Sequence, residues 1–229
     1  MGVVAEDTGP RRTRGPSPQK TAQTRNAVTR AALELFLANG YRNTRINDVA
    51  TRAGVAKGTV YLYFPDKQAL FAGVIGEVLD HRVTALAAAE PADGESVRDF
   101  LKRTLLPQLT ALESNSPWLG LLRLVMTEGR EAPEIARLHR ERVLDPLAAQ
   151  IQRWAQIAAD RGEVDSDALQ RIPLLLLSPA ILATLWNGLY PENPINAANA
   201  FEGFVDLAFG VPPDPTDGDD DPQAGGTRR

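Results

Sequence analysis

Apolar residues return every three or four positions along most of the chain, and no segment of useful length shows the strict alternation of a half-buried strand. The first stripe, Val28, Ala31, Ala32, Leu35 and Phe36, predicts a helix over 20–39 that Gly40 ends in a left-handed C-cap. Thr44 then suits the N-cap of a short helix to about Arg52, with Ile46, Val49 and Ala50 inward. Ala53-Gly54-Val55 reads as a tight turn before a third short helix over 56–62, and Pro65-Asp66 opens a longer one through about Ala89. Past the break at Pro91-Ala92-Asp93-Gly94, the same spacing predicts helices near 95–113, 117–128, 133–161, 166–189 and 196–209. The expected class is therefore all-α, with about nine helices. Pro173 and Pro179 fall inside the eighth, which predicts a kink or a restart with Ser178 as cap and Pro179 at the first helical position.

Composition narrows this picture. A chain of 229 residues with 43% hydrophobic residues can bury one compact core or two small ones. It has no cysteine, which excludes disulfides, thiolate nucleophiles and cysteine-ligated metal. The N-terminus lacks the apolar run of a signal peptide, and the longest apolar stretch, 173–189, is interrupted by Pro179 and Asn187 and is short for a membrane span. The expectation is a cytoplasmic protein with no membrane partner. Residues 1–19 and 210–229 are rich in Gly, Pro and charge, and are expected to form a disordered basic arm and a disordered acidic tail. Charge is also unevenly distributed. Arg11 to Lys67 holds eleven basic and three acidic residues, so a chain of net charge −4 carries +8 there and −12 elsewhere. A basic block in an acidic protein is the footprint of contact with a polyanion, and equally of a solvated arm with ordinary surface arginines.

Motifs decide between the two. Two short helices joined by a glycine-containing turn make a helix-turn-helix, whose second helix enters the major groove. In Lys57-Gly58-Thr59-Val60-Tyr61-Leu62-Tyr63-Phe64, buried Val60 and Phe64 would hold the helix while Lys57, Thr59 and Tyr61 point outward, and Gly58 allows close backbone approach. The segment from Thr44 to Leu70, TRINDVATRAGVAKGTVYLYFPDKQAL, closely resembles the DNA-binding signature of the TetR family of bacterial transcriptional regulators. The resemblance rests on Val49-Ala50, the Ala53-Gly54-Val55 turn, the Lys57-Gly58-Thr59 start, Tyr61-x-Tyr63-Phe64 and Lys67. It is strong over about 22–75 and only architectural beyond. It implies a three-helix DNA-binding domain over 20–66 and an effector-binding and dimerisation domain over 67–209. It implies contacts to bases and nearby phosphates from Lys57, Gly58, Thr59 and Tyr61, and contacts to the phosphate backbone from Thr44, Arg45, Asn47, Tyr63 and Lys67. Two positions depart from the family pattern. Ala56 leaves the third helix without a hydroxyl N-cap, and Asn47 stands where a basic residue is common.

The resemblance also implies a homodimer and a small-molecule effector. Leu182, Leu185, Phe201, Phe204 and Val205 form apolar stripes on the last two helices that suit a four-helix dimer interface, and would equally serve as intramolecular core. Trp118, Leu122, Val125, Met126, Trp154, Trp186 and Asn187 are the candidates to line an effector pocket, with Arg123 a further polar contact. Their abundance of Trp and Met predicts a mostly apolar ligand. The expected function is a ligand-responsive repressor that binds a near-palindromic double-stranded DNA operator as a dimer. The helix from Asp66 to about Ala89, as the only element continuous between the two domains, would be the lever. The alternative is a small-molecule-binding helical protein or enzyme that has kept the fold without reading DNA.

Enzyme chemistry finds little support. His81 and His139 lie among charged neighbours, where a solvated position is expected, and neither forms a metal-binding spacing. No nucleophile elbow or phosphate-binding glycine loop is present. Glu128, Glu131 and Glu134 cluster in EGREAPE, which reads better as a hinge than as an acid–base site. No catalytic residue, metal site or cofactor is expected.

Overall fold

A computed structural model of the chain describes residues 18–110 and 116–210, and both termini expected to be disordered lie almost wholly outside them. The described residues are helical and contain no strand. Eleven α-helices follow in order: α1 Pro18–Asn39, α2 Ile46–Ala53, α3 Lys57–Tyr63, α4 Lys67–Ala87, α5 Val97–Thr110, α6 Pro117–Glu128, α7 Pro133–His139, α8 Asp145–Asp160, α9 Ala168–Arg171, α10 Ser178–Leu189 and α11 Ala197–Phe209.

The difference from nine comes from two elements that periodicity reads as continuous. The run expected over 133–161 is interrupted by a π-helical stretch, Arg140–Leu144, in which the Asp145 N–H reaches the Arg140 carbonyl. Pro146 follows at once, and a proline that lacks an N–H and crowds the preceding turn is a common reason for a helix to widen locally. The run expected over 166–189 is divided into α9, a 3₁₀ stretch Pro173–Leu177, and α10. The restart at Ser178-Pro179 is as expected, with Pro179 in the first turn. Ser178 is not the cap, however. Its hydroxyl donates backwards to the Leu175 carbonyl (2.6 Å).

The chain forms two compact units. One holds residues to Val78 together with Leu124–Ala136, and the other holds Leu79–Arg123 and the chain from Arg137 onward. Helices α4, α6 and α7 thus contribute residues to both units, so α4 is not the only continuous element. In the first unit α1 packs on α2 and α2 on α3. Gly40 (φ +84°) ends α1 and Gly54 (φ +68°) ends α2, both in the left-handed region that glycine adopts without strain. Asp66 caps α4 by accepting from the Ala69 N–H (2.7 Å). The core is an aromatic triangle of Phe36, Tyr41 and Phe71, with ring centroids 5.4–5.7 Å apart.

In the second unit α5 packs on α11 over a core of Val97, Phe100, Leu101, Trp154, Phe201 and Val205. Phe100 and Trp154 meet edge to face at 5.1 Å, and the Trp154 indole N–H donates to the Ala89 carbonyl (2.9 Å). Arg98 and Lys102 on α5 pair with Asp206 on α11 at 2.5 and 2.8 Å. His139, expected on the surface, is buried, and burial lowers its pKa. Asn196 caps α11 by accepting from the Asn199 N–H (2.9 Å).

Candidate nucleic-acid interface and cavities

Helix α3 is too short to be stable alone, so what it presents depends on its anchors. Val60 and Phe64 are fully or nearly fully buried, and the Arg25 guanidinium lies 5.4 Å from the Phe64 ring centroid. A side chain at Gly73 would strike that ring, since its Cβ would come within 2.5 Å of Phe64. With this face fixed, Lys57, Gly58, Tyr61 and Leu62 are exposed, and Thr59 and Tyr63 are half-buried. The Lys57 ammonium sits 6.0 Å from the Tyr61 ring, an i,i+4 pair on the outer face. Ala56 provides no side-chain cap. Arg45 and Asn47, at the start of α2, are exposed as well.

Leu62 was absent from the sequence-based set, yet it is 76% exposed. Its position one turn after Gly58 was the available signal, because that places it on the same outer face.

Two expected contact residues are used inside the chain instead. Thr44 is buried, and its hydroxyl donates to the carbonyls of Leu35 (3.1 Å) and Gly40 (2.7 Å) at the end of α1. It is not the N-cap of α2 either; Arg45 holds that position without a side-chain bond. Lys67 donates to the carbonyls of Arg42 and Thr44, both at 3.0 Å, and its ammonium lies 4.5 Å from the Tyr41 ring. Burial lowers the Lys67 pKa, opposed by the nearby carboxylates of Glu128 and Glu134. Thr44 is thus enclosed behind the α1–α2 turn, and Lys67, half-buried, holds the same turn from the start of α4.

The EGREAPE carboxylates grip that same turn. Glu128 accepts from the backbone N–H groups of Tyr41 (3.2 Å) and Arg42 (3.0 Å), and Glu131 pairs with the Arg42 guanidinium. Glu134 lies beside Tyr41, whose phenol is pushed well above its ordinary pKa, first by burial and then by that carboxylate. The approach is so close that a Cβ on Gly40 would lie 2.2 Å from Glu128 Oε1.

Two cavities lie among the described residues of the second unit. One, of about 110 Å³, is lined almost entirely by apolar side chains, with Trp118 and Trp154 among them and Gln108 the single polar residue. The other, of about 290 Å³, is lined by Arg123, Thr184, Asn187 and the start of α11 among apolar neighbours. Of the expected pocket residues, Trp118, Trp154 and Asn187 therefore line a cavity. Leu122, Val125, Met126 and Trp186 line neither. Met126 points to solvent, and the Trp186 indole packs on Tyr190 (4.7 Å) while donating to the Asn193 carbonyl (2.7 Å).

The expected interface stripe also separates. Leu182 and Leu185 are exposed on α10 (53% and 44%), joined by Leu189, with Leu207 exposed on α11. Phe201 and Val205 are buried in the core and Phe204 packs against it, because α11 turns that stripe toward α5.

Comparison with known proteins shows what the helix-turn-helix segment and the fold resemble. Residues 28–74 match the family model of bacterial regulatory proteins of the tetR family. The chain is 27% identical over 152 residues to the HTH-type transcriptional repressor BepR of Brucella suis, covering 65% of this chain and 72% of that protein. It is 25% identical over 190 residues to the fatty acid metabolism regulator protein of Bacillus subtilis, covering 70% and 92%. The fold is shared with the B. subtilis transcriptional regulator FadR in complex with stearoyl-CoA (TM-score 0.64, 15% identity, 81% and 97% covered). Over residues 28–74, its helix-turn-helix segment, the chain thus matches the tetR family of bacterial regulatory proteins, and its fold is one it shares with a solved transcriptional regulator.

Proposed function

We propose that this regulator is a repressor that binds a near-palindromic DNA operator as a dimer and is released by a small, mostly apolar ligand held in its second unit. The observation that carries the reading is the outer face of α3, where a cation, a glycine, a phenol and a leucine are exposed together while Val60 and Phe64 fix the helix from behind. Lys57, Thr59 and Tyr61 are the donors to base edges and phosphates, Gly58 permits close approach, and Leu62 suits a thymine methyl group. Arg45, Asn47 and Tyr63 flank them toward the phosphate backbone. Thr44 and Lys67 act indirectly, by holding the α1–α2 turn.

A dimer gives two such helices, to be set about 34–36 Å apart for successive major grooves. Leu182, Leu185 and Leu189 on α10, with Leu207 on α11, supply an exposed apolar face suited to a symmetric interface. The ligand response draws support from the two cavities and from relatives described as a repressor and as a regulator holding stearoyl-CoA. A ligand that favours the released conformation lowers operator affinity by its differential binding, commonly about 1–3 kcal/mol. Helices α4, α6 and α7, which contribute to both units, are the elements through which that preference would act.

The test is selection of bound fragments from the source genome by the purified protein, in about 0.15 M salt with excess competitor DNA. Recovery of a short inverted repeat is the expected result. Recovery of nothing above competitor, in protein shown to be free of ligand, would overturn it and favour a ligand-binding protein that no longer reads DNA.

A further inference from the structure

Several cations of the basic segment are committed inside the chain. Arg42 pairs with Glu131, Arg52 pairs with Glu34 (2.5 Å), and Lys67 donates to two backbone carbonyls. Arg25, Arg30, Arg45 and Lys57 are exposed. Arg45 and Lys57 belong to the interface described above. Arg25 and Arg30 share α1, but five residues at 3.6 per turn set them about 140° apart around it.

What distinguishes Arg25 is the ring its side chain lies on. The guanidinium is 5.4 Å from the Phe64 centroid, within the reach of a cation–π contact, and that ring is itself buried and held at its edge by the close approach of Gly73. Phe64 immediately follows α3, so Arg25 stands at the C-terminal end of the recognition helix as Lys57 stands at its N-terminal end. Seven residues at 1.5 Å each separate those ends by about 10 Å along the axis, against a major groove ~12 Å wide. A cation at either end of so short a helix lies within reach of the phosphates that wall the groove. Stacking uses the face of a guanidinium and leaves its edge, with the N–H donors in plane, for a bidentate bond to phosphate. One side chain therefore serves both contacts.

Resting on the DNA-binding reading above, we infer that Arg25 is a further phosphate-binding residue, aimed by its stacking on Phe64 so that its edge meets a phosphodiester of the DNA backbone beside the C-terminal end of α3. It lies outside residues 28–74, the segment that matches the family model. A phosphate contact positions the protein without reading sequence, so Arg25 strengthens binding to operator and to other DNA alike.

The experiment measures binding of the full-length protein to a labelled duplex of mixed sequence, and to the operator recovered by fragment selection, over a range of salt concentrations. Arg25→Met keeps an unbranched apolar stem to pack on Phe64 and removes the charge. On both duplexes it should reduce the slope of log affinity against log salt by about 0.9 and weaken binding about fivefold at ~0.15 M salt. Arg25→Lys, which keeps the charge, should keep the slope. Arg30→Met, which removes a cation from another side of α1, should keep it as well. Because Arg25 is exposed, neither substitution there empties the core, and urea unfolding of each variant checks that the packing on Phe64 survives. An unchanged slope in Arg25→Met would overturn the inference even if affinity fell, since a purely structural loss weakens binding without changing the number of counterions released. An equal fall in Arg30→Met would also overturn it, because net charge would then account for both. Protein that holds an operator with its slope unaltered by Arg25→Met sinks this inference alone. Protein that binds the mixed duplex through Arg25 but yields no operator sinks the sequence-specific reading and leaves this contact standing. Protein that binds neither duplex sinks both.

Discussion

Gly40 meets two demands at once, a positive φ and the close approach of the Glu128 carboxylate, whereas Gly54 meets only the first, with open space where a Cβ would be. A non-glycine residue in the left-handed region costs about 1–2 kcal/mol. Gly54→Ala should lose about that much in a urea unfolding experiment. Gly40→Ala should lose about 1–3 kcal/mol more, because moving the carboxylate leaves the Tyr41 and Arg42 N–H groups unmet. The excess should vanish in the Glu128→Ala background, which a double-mutant cycle checks directly. On the outer face of α3, Lys57→Ala should weaken binding to every DNA sequence and reduce the salt slope by about one if the ammonium meets a phosphate. Loss of discrimination at a single base pair would show instead that it reads an edge. His139 gives a pH signature. Its pKa is lowered in the folded state from an ordinary value of 6.5, so protons bind the unfolded chain more readily. Its contribution to stability is present above pH 6.5 and is lost as the pH falls below it. Unfolding midpoints measured from pH 7.5 to 5 should fall, and His139→Gln should flatten that part of the profile.

Helices in this chain are defined as much by their neighbours as by their own residues. The amide groups of the α1–α2 turn are met by Glu128 at the end of α6 and its carbonyls by Lys67 at the start of α4, so two elements that contribute to both units close on the turn preceding α2. Glu128→Ala should therefore weaken operator binding and lower the unfolding free energy measured in urea by about 1–3 kcal/mol, although the residue is not on the outer face of α3. Operator titration and urea unfolding of the same variant check the two effects.

For the whole molecule, the distribution of apolar surface matters most. Four exposed leucines on the last two long helices amount to an apolar face that an isolated chain would leave in water. Replacing Leu182 and Leu185 together by Glu should give monomers by light scattering, and should remove the dependence of Tm on protein concentration that a dimer shows. An unchanged dimer would refute this face. Phe201→Asp, by contrast, should unfold the second unit rather than dissociate it, because it places an unpaired charge among Phe100, Trp154 and Leu176. The basic segment from Arg11 to Lys67 within an acidic chain predicts operator binding that weakens steeply with salt.

Periodicity and punctuation sufficed for the all-α class, the turns at Gly40 and Gly54 and the restart at Pro179, because these follow from local backbone sterics and the burial of one helix face. The recognition helix was legible for the same reason: Val60 and Phe64 stand one turn apart, and their burial leaves Lys57 and Tyr61 outside. The π-helical turn before Pro146 was not legible, since a five-residue widening barely disturbs a hydrophobic stripe. Nor were the inward commitments of Thr44 and Lys67, which depend on carbonyls up to 25 residues away. A hydroxyl or an ammonium has the same chemistry whether it meets a phosphate or a backbone oxygen, and local pattern does not say which. The stripe on α11 shows the same limit. Its spacing established an apolar face, but α5 decided that Phe201 and Val205 are core, while Leu182 and Leu185 stayed uncovered. Sequence alone determined which residues share a side of each helix. Only the tertiary structure decided what that side meets, because burial is a property of the packed neighbours and not of the helix that carries the side chain.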